Sequence, residues 1–444
     1  MNGSPSKARF SSFMLLLIAL IVPTYYVPIL AVGAGGLAFR SFDLVVLALP
    51  FLFILAPIGW WEPGQFSTML LWMGVFAVSV AVSTGVLFLT QCPAPTEVER
   101  IARAVLRLYE IFVLAAVAVN ALRHISVRQA FNIILVVCAI LPASSLYREM
   151  VADGDFTRIG GYAVTGNADT GIDGMYSEQA NFNELGALCG ALGAGSGGLF
   201  FWAKTRRVQI LYLASLLLYT TGVVLTASRS GLMAEAIGLS FAALLLRGVL
   251  IRRCMVLLVP LLLIVINPRF IDIIYGRIFG TFVEGSHPYA SASVRIDAMR
   301  SAWSVFAEQP LLGVGYASFR LFCAEGFITP ECYYLEILAD LGLFGAFAFC
   351  GLAIYPIWRG WRLSGEAREI YLAAGLSPVV ALLASSVSGN NLFDPSLMML
   401  FLVFLAFGIS QRLPGMPQQM ARFGRAPARC LVGPSSESFV AQRS

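Results

Sequence analysis

Charge is scarce in this chain: Asp, Glu, Lys and Arg make up 12% of 444 residues, against 58% hydrophobic residues. A water-soluble domain of that composition would expose large apolar areas, so a soluble globular class is excluded. The eight cysteines include no metal-type CxxC spacing, and Asp169, Asp173 and Glu178 lack the ligand spacing of an EF-hand. The residues therefore call for no metal and no cofactor. No long internal repeat of the kind found in many secondary transporters is visible. The net charge of +5 requires no nucleic-acid partner; it fits loops facing an anionic lipid surface.

What the chain has in abundance is apolar stretches near the roughly 20 residues that cross a bilayer. They fall at 10–33, 41–58, 66–90, 101–121, 127–147, 181–202, 208–226, 230–247, 254–267, 332–357, 369–388 and 393–411. The expected fold is an all-α polytopic membrane protein with about twelve transmembrane helices and a large periplasmic loop containing short helices. The apolar run from Phe10 to about Val32 is longer than the hydrophobic region of a cleaved signal peptide, so it reads as a retained span. With the N-terminus inside, the cytoplasmic segments hold Lys7, Arg9, Arg123, Arg128, Lys204, Arg206, Arg207, Arg247, Arg252, Arg253, Arg359, Arg362, Arg368, Arg412, Arg422, Arg425, Arg429 and Arg443. These are 18 of the 30 basic residues, as the positive-inside rule requires. An even number of spans returns the C-terminus to the cytoplasm. Residues 1–411 then form one transmembrane domain, and 412–444, rich in Pro, Arg and Ser, form a tail expected to be disordered.

Two external segments, 148–180 and 268–331, interrupt the rhythm of span and short turn and are expected to carry function. The first is rich in Gly, Asp and Asn without helical period. In the second, Val294, Ala298, Ala302, Val305 and Phe306 recur at helical spacing. Ser291 or Ser293 is the expected cap, with Pro310 just past the end. Cys323 and Cys332 share this loop, where an oxidising compartment permits a disulfide that the sequence alone does not decide.

Arg229, in TASRSG, sits where an apolar stretch meets the external face, flanked by the donors Ser228, Ser230 and Gly231. It reads either as a snorkelling arginine or as an anion-binding guanidinium. Arg295 is expected in the first turn of the loop helix, a location that favours a bound anion such as a diphosphate. The alternative is a solvated face with Arg295 or Arg300 paired to Asp297. Tyr333, Tyr334 and Trp303 fit sugar stacking or an interfacial aromatic belt equally well.

The run from Arg295 through Trp303, Pro310, Gly313 and Gly315 resembles the signature of the O-antigen ligase and polymerase superfamily. The sequel from Glu331 through Asp340, Gly342 and Gly345 resembles its next span, TASRSG its Ser-Arg-Gly element, and NFNELG (Asn181 to Gly186) its Asn-rich approach to a central span. The resemblance covers about residues 180–345. It implies an inner-membrane glycosyltransferase or ligase of bacterial envelope glycan assembly. The donor is an undecaprenyl-diphosphate-linked glycan and the acceptor a glycan or the lipid A-core. Arg229 and Arg295 take the diphosphate role, with Arg300, Asn181, Tyr333 and Tyr334 as further substrate-binding candidates. The family's histidine is replaced by Glu331 and the following Asn by Cys332, which shifts weight from lipopolysaccharide ligase toward polymerase. Glu331 is then the candidate base or orienting group for the acceptor hydroxyl, or else a carboxylate favoured at a helix start. The competing class is a non-enzymatic flippase or exporter of lipid-linked glycan. For that class Glu110, Glu235 and Asp394 would be the intramembrane charges, and His287 is the one histidine on the external side.

Overall fold

A computed structural model describes residues 5–26, 32–34, 37–39, 41–58, 60–61, 67–143, 146, 182–226, 228–245, 282–283, 287–323, 327 and 329–410. Its helices are α1 (Pro5–Tyr26), α2 (Ser41–Ile54), α3 (Ser67–Gln91), α4 (Pro95–Ala121), α5 (Val127–Cys138), α6 (Phe182–Trp202), α7 (Arg206–Thr226) and α8 (Arg229–Leu245). They continue with α9 (His287–Glu308), α10 (Phe319–Phe322), α11 (Tyr333–Trp361), α12 (Gly365–Tyr371), α13 (Ser377–Ser385) and α14 (Pro395–Ser410). A short antiparallel hairpin, β1 (Val32–Ala34) with β2 (Leu37–Phe39), follows α1 and pairs Val32 with Phe39. The described residues are thus predominantly helical. Among the described residues seven helical segments are long and apolar enough to cross a membrane: Pro5–Pro23, Thr68–Gln91, Pro95–Ala121, Asn183–Trp202, Arg206–Thr226, Tyr333–Trp361 and Gly365–Ser385. The expected stretch 254–267, the loop 148–180 and the tail from 411 lie outside the described residues.

Two boundaries differ from expectation for physical reasons. α4 begins at Pro95, not near 101, although its first turns are charged. Glu97 pairs with Arg100 at 3.0 Å and Arg107 with Glu110 at 2.9 Å, the i,i+3 spacing that supports a helix, and proline suits a first turn. α9 begins at His287, so Ser291 and Ser293 lie inside it and not at its start. Pro288 occupies its first turn. Arg295 therefore stands in the third turn, away from the amides that were expected to favour an anion. Along α9, Ala298, Ala302 and Val305 are buried as the helical spacing requires, whereas Val294 is exposed.

At the centre stands α6, packed by α7, α8 and α13, with 94% of its apolar window buried. Gly186 of α6 faces Gly231 of α8 so closely that a Cβ on Gly231 would lie 2.7 Å from the Gly186 carbonyl carbon. Small residues at such a crossing let membrane helices approach in the absence of a hydrophobic drive. α12 passes into α13 through a π turn, Leu372–Leu376. The Ser377 hydroxyl donates to the Leu372 carbonyl at 3.0 Å, and the turn accommodates Pro378, which has no N–H to give.

α11 is interrupted at Gly342, whose φ of 63° and ψ of −161° are non-helical. In an unbroken helix Leu343 and Phe344 would donate to the carbonyls of Ala339 and Asp340. Instead Leu343 donates to Pro310 at 2.8 Å and Phe344 to Leu311 at 3.2 Å. The vacated carbonyls of Ala339 and Asp340 accept from Val314 at 3.0 Å and Gly315 at 2.8 Å. The loop PLLGVG is thereby stitched into the helix, each lost internal bond being replaced by one with the loop. Gly313, at φ 66°, and Gly342 make the exchange possible, because a Cβ on either would run into the other segment's backbone. Gly313→Ala and Gly342→Ala are each expected to destabilise the protein by at least about 1–3 kcal/mol, read as a fall in thermal midpoint in detergent. Gly74→Ala, in open space on α3, is expected to be neutral or slightly stabilising.

Candidate functional site

The carboxylate of Asp340, 1% exposed, organises the turn that leaves the stitched loop. It accepts the backbone N–H of Ala317 at 2.6 Å and of Phe319 at 2.9 Å, while its own carbonyl also accepts the Ser83 hydroxyl from α3 at 2.7 Å. Ala317 holds a left-handed φ of 56°, a strained conformation outside glycine that needs such ties. The chain then forms α10, where Arg320 pairs with Glu97 at the start of α4, one contact being 3.2 Å. Tyr316 stacks on Phe393, centroids 5.3 Å apart. Burial pushes the Tyr316 phenol above its ordinary value.

On this base the start of α11 meets α9. Glu331 has φ 54°, and Cys332, extended, precedes the first helical residue. The turn presents the Glu331 carboxylate to Arg295, Nε to Oε2 at 3.6 Å, with the two side chains 36% and 22% exposed. The Arg295 Nη1 also donates to the Ser388 carbonyl at 3.3 Å. Half-exposed pairs at this distance are weak, so the arginine can be recruited by a stronger anion. Its planar fork offers five N–H donors. The rim residues 386–394, between α13 and α14, fix this corner. Tyr333 donates its N–H to Ser386 at 3.1 Å, and Glu336, buried behind Glu331, takes a hydrogen bond from the Asn390 side chain.

Arg229 opens α8, half-buried between the buried Ser228 and Ser230. The Ser228 hydroxyl accepts the Gly231 N–H at 3.1 Å and donates to Asn183 Oδ1 at 3.1 Å, so TASRSG and NFNELG are locked together. Glu184, next to Asn183, hydrogen-bonds Asp394 at the other end of the rim. The rim thus runs from the neighbours of Arg229 to the partner of Arg295.

The remaining sequence candidates divide. Arg300 points away from this corner, 75% exposed and paired with Asp297 at 2.9 Å. Tyr333 is buried with its ring 5.4 Å from Phe349, whereas Tyr334 is half-buried and donates to the Leu383 carbonyl at 2.7 Å. Trp303 is 57% exposed. Asn181, Asp169, Asp173, Glu178 and the His287 side chain lie outside the described residues. His124 rests against Trp60, its Nε2 3.1 Å from that carbonyl. Cys323 and Cys332 are both buried and free, so the disulfide is absent. No group of side chains suited to a metal occurs among the described residues.

Sequence reasoning passed over Ser388, Asn390, Glu336 and the structural task of Asp340. Ser388 contributes only a carbonyl, which no side-chain pattern reveals. Asp340 did carry a signal, an acidic residue two positions before a glycine inside an apolar span.

A helical membrane bundle with an arginine–carboxylate corner at one end defines the class of protein. Residues 214–350 match the family model described as O-Antigen ligase, a segment containing Arg229, Arg295, Glu331 and the stitched loop. This supports the O-antigen ligase/polymerase superfamily and a glycan-processing function with lipid-linked glycan and acceptor substrates in a membrane. No curated protein matches the chain.

Asp340→Ala is expected to orphan two buried amides at roughly 1–3 kcal/mol each and lower the thermal midpoint. Arg300→Ala should leave that midpoint unchanged within about 0.5 kcal/mol.

Proposed function

We propose that this protein is a metal-independent glycosyltransferase of the bacterial inner membrane. It transfers or polymerises undecaprenyl-diphosphate-linked glycan at the periplasmic face, in O-antigen or exopolysaccharide assembly. The observation that carries the reading is the Arg295–Glu331 pair: a guanidinium on α9 and a carboxylate in the turn before α11, held 3.6 Å apart and suited to bind a diphosphate and to accept a proton. In the reaction an acceptor hydroxyl oxygen bonds to the sugar C1 as the bond from C1 to the diphosphate oxygen breaks. The diphosphate leaves with the bonding electrons, stabilised by Arg295 and Arg229. The hydroxyl proton passes to Glu331. When the donor's diphosphate recruits Arg295, the Glu331 carboxylate is released to meet the acceptor. Tyr334 and Asn181 are the candidates for sugar contacts at the rim.

The absence of the family's histidine favours polymerase over lipopolysaccharide ligase, with a growing glycan rather than lipid A-core as acceptor. Twelve spans result if α2, α5 with its extension, α8, α14 and the apolar stretch 254–267 cross beside the seven long segments. Both termini then face the cytoplasm. A flippase or exporter is less well supported. Glu110 is paired with Arg107, Glu235 accepts the Thr220 hydroxyl, and Asp394 accepts the Ser396 and Leu397 amides at 2.9 and 3.0 Å. Each of these acids thus has a partner within the protein.

In proteoliposomes holding a lipid-diphosphate glycan and an acceptor glycan, Glu331→Gln is expected to lower kcat about 10²–10⁴-fold. Arg229→Ala and Arg295→Ala should each cost about 10²–10³-fold. Undiminished transfer by correctly inserted arginine variants would remove the diphosphate clamp from the mechanism.

A further inference from the structure

The opposite end of the bundle carries a second polar feature. α4 runs 27 residues from Pro95 to Ala121, about 40 Å along its axis, and α5 begins just beyond it. Between α1 and α5 lies an open groove of about 580 Å³. Ser126, Arg128 and Gln129 line one end of it, while Leu16, Ile133 and Val136 line its length. The polar wall is braced from outside: the Gln129 amide donates to Ser12 at 3.1 Å, and Asn132 accepts the Tyr212 hydroxyl of α7 at 2.9 Å.

Arg128 is the cation at the groove's polar end. Its guanidinium lies 5.2 Å from the centroid of the Trp202 ring, and it pairs with no carboxylate among the described residues. Stacking uses the face of the guanidinium and leaves the in-plane N–H groups to an acceptor. Arg206 and Arg207, just past Trp202, are exposed and add positive potential at this end. The apolar wall is open to the outside, with Val136 73% and Leu16 38% exposed. A fixed cation at one end and an apolar trough along the rest reproduce the polarity order of a phospholipid.

We propose that the groove between α1 and α5 binds one anionic phospholipid, its phosphate on Arg128 and an acyl chain along Leu16, Ile133 and Val136. A peptide would need backbone partners that the trough lacks, and a zwitterionic lipid would bring an ammonium group toward the same cation. The lipid would bridge α1 and α5 beside the Gln129–Ser12 hydrogen bond.

The test is native mass spectrometry of the full chain in detergent. It is offered equal amounts of phosphatidylglycerol and phosphatidylcholine with identical chains. The wild type should retain phosphatidylglycerol about fivefold over phosphatidylcholine. Arg128→Gln should abolish the preference and Arg128→Lys should keep it. Val136→Trp, on an exposed face where folding is not at stake, should reduce retention of both lipids. Millimolar inorganic phosphate should displace neither. Equal retention by the wild type, or a preference that survives Arg128→Gln, overturns the proposal. Displacement by phosphate also overturns it, in favour of a free-anion site.

Discussion

The exchange of hydrogen bonds at Gly342 is the constraint on which the site depends. A helix that must satisfy every backbone group inside a membrane cannot simply stop and restart. Here the break is tolerable because Pro310, Leu311, Val314 and Gly315 supply the missing partners. The arrangement fixes the loop's depth and register, and through Asp340 it fixes the turn that leads to α10. The loop in turn holds the C-terminal end of α9 against α11, so Arg295 on α9 is held opposite Glu331 in the turn before α11.

The two arginines are mounted differently. Arg229 belongs to a densely hydrogen-bonded helix crossing, where Ser228, Ser230 and Asn183 leave little freedom. Arg295 reaches across a gap to a weak ion pair and a single carbonyl. The first is set in a rigid frame, whereas the second is held only by contacts that a stronger anion can displace.

Much of the bundle was legible from hydropathy, since apolar runs of the right length have one solution in lipid. The start of α4 was not, because Glu97, Arg100, Arg107 and Glu110 look like a loop until their helical pairing is drawn. The start of α9 was misplaced for the opposite reason: Ser291 and Ser293 look like caps, yet the helix runs through them from Pro288. Of the corner, Arg295 and Glu331 were legible because both stand in the runs that carry the family resemblance. Ser388 was not, because it acts through its backbone and lies 93 residues from Arg295. Arg320 and Glu97, 223 positions apart, were hidden by the same sequence distance.

The left-handed backbone at Glu331 reaches beyond this chain. Asn, Asp and His adopt that conformation more readily than other side chains, and branched residues scarcely at all. The position therefore filters its occupants by torsion before it filters them by acidity. A histidine there is better tolerated than a glutamate, which holds the place at an energetic cost. Exchange of one for the other at this position is then bounded by backbone geometry as much as by charge.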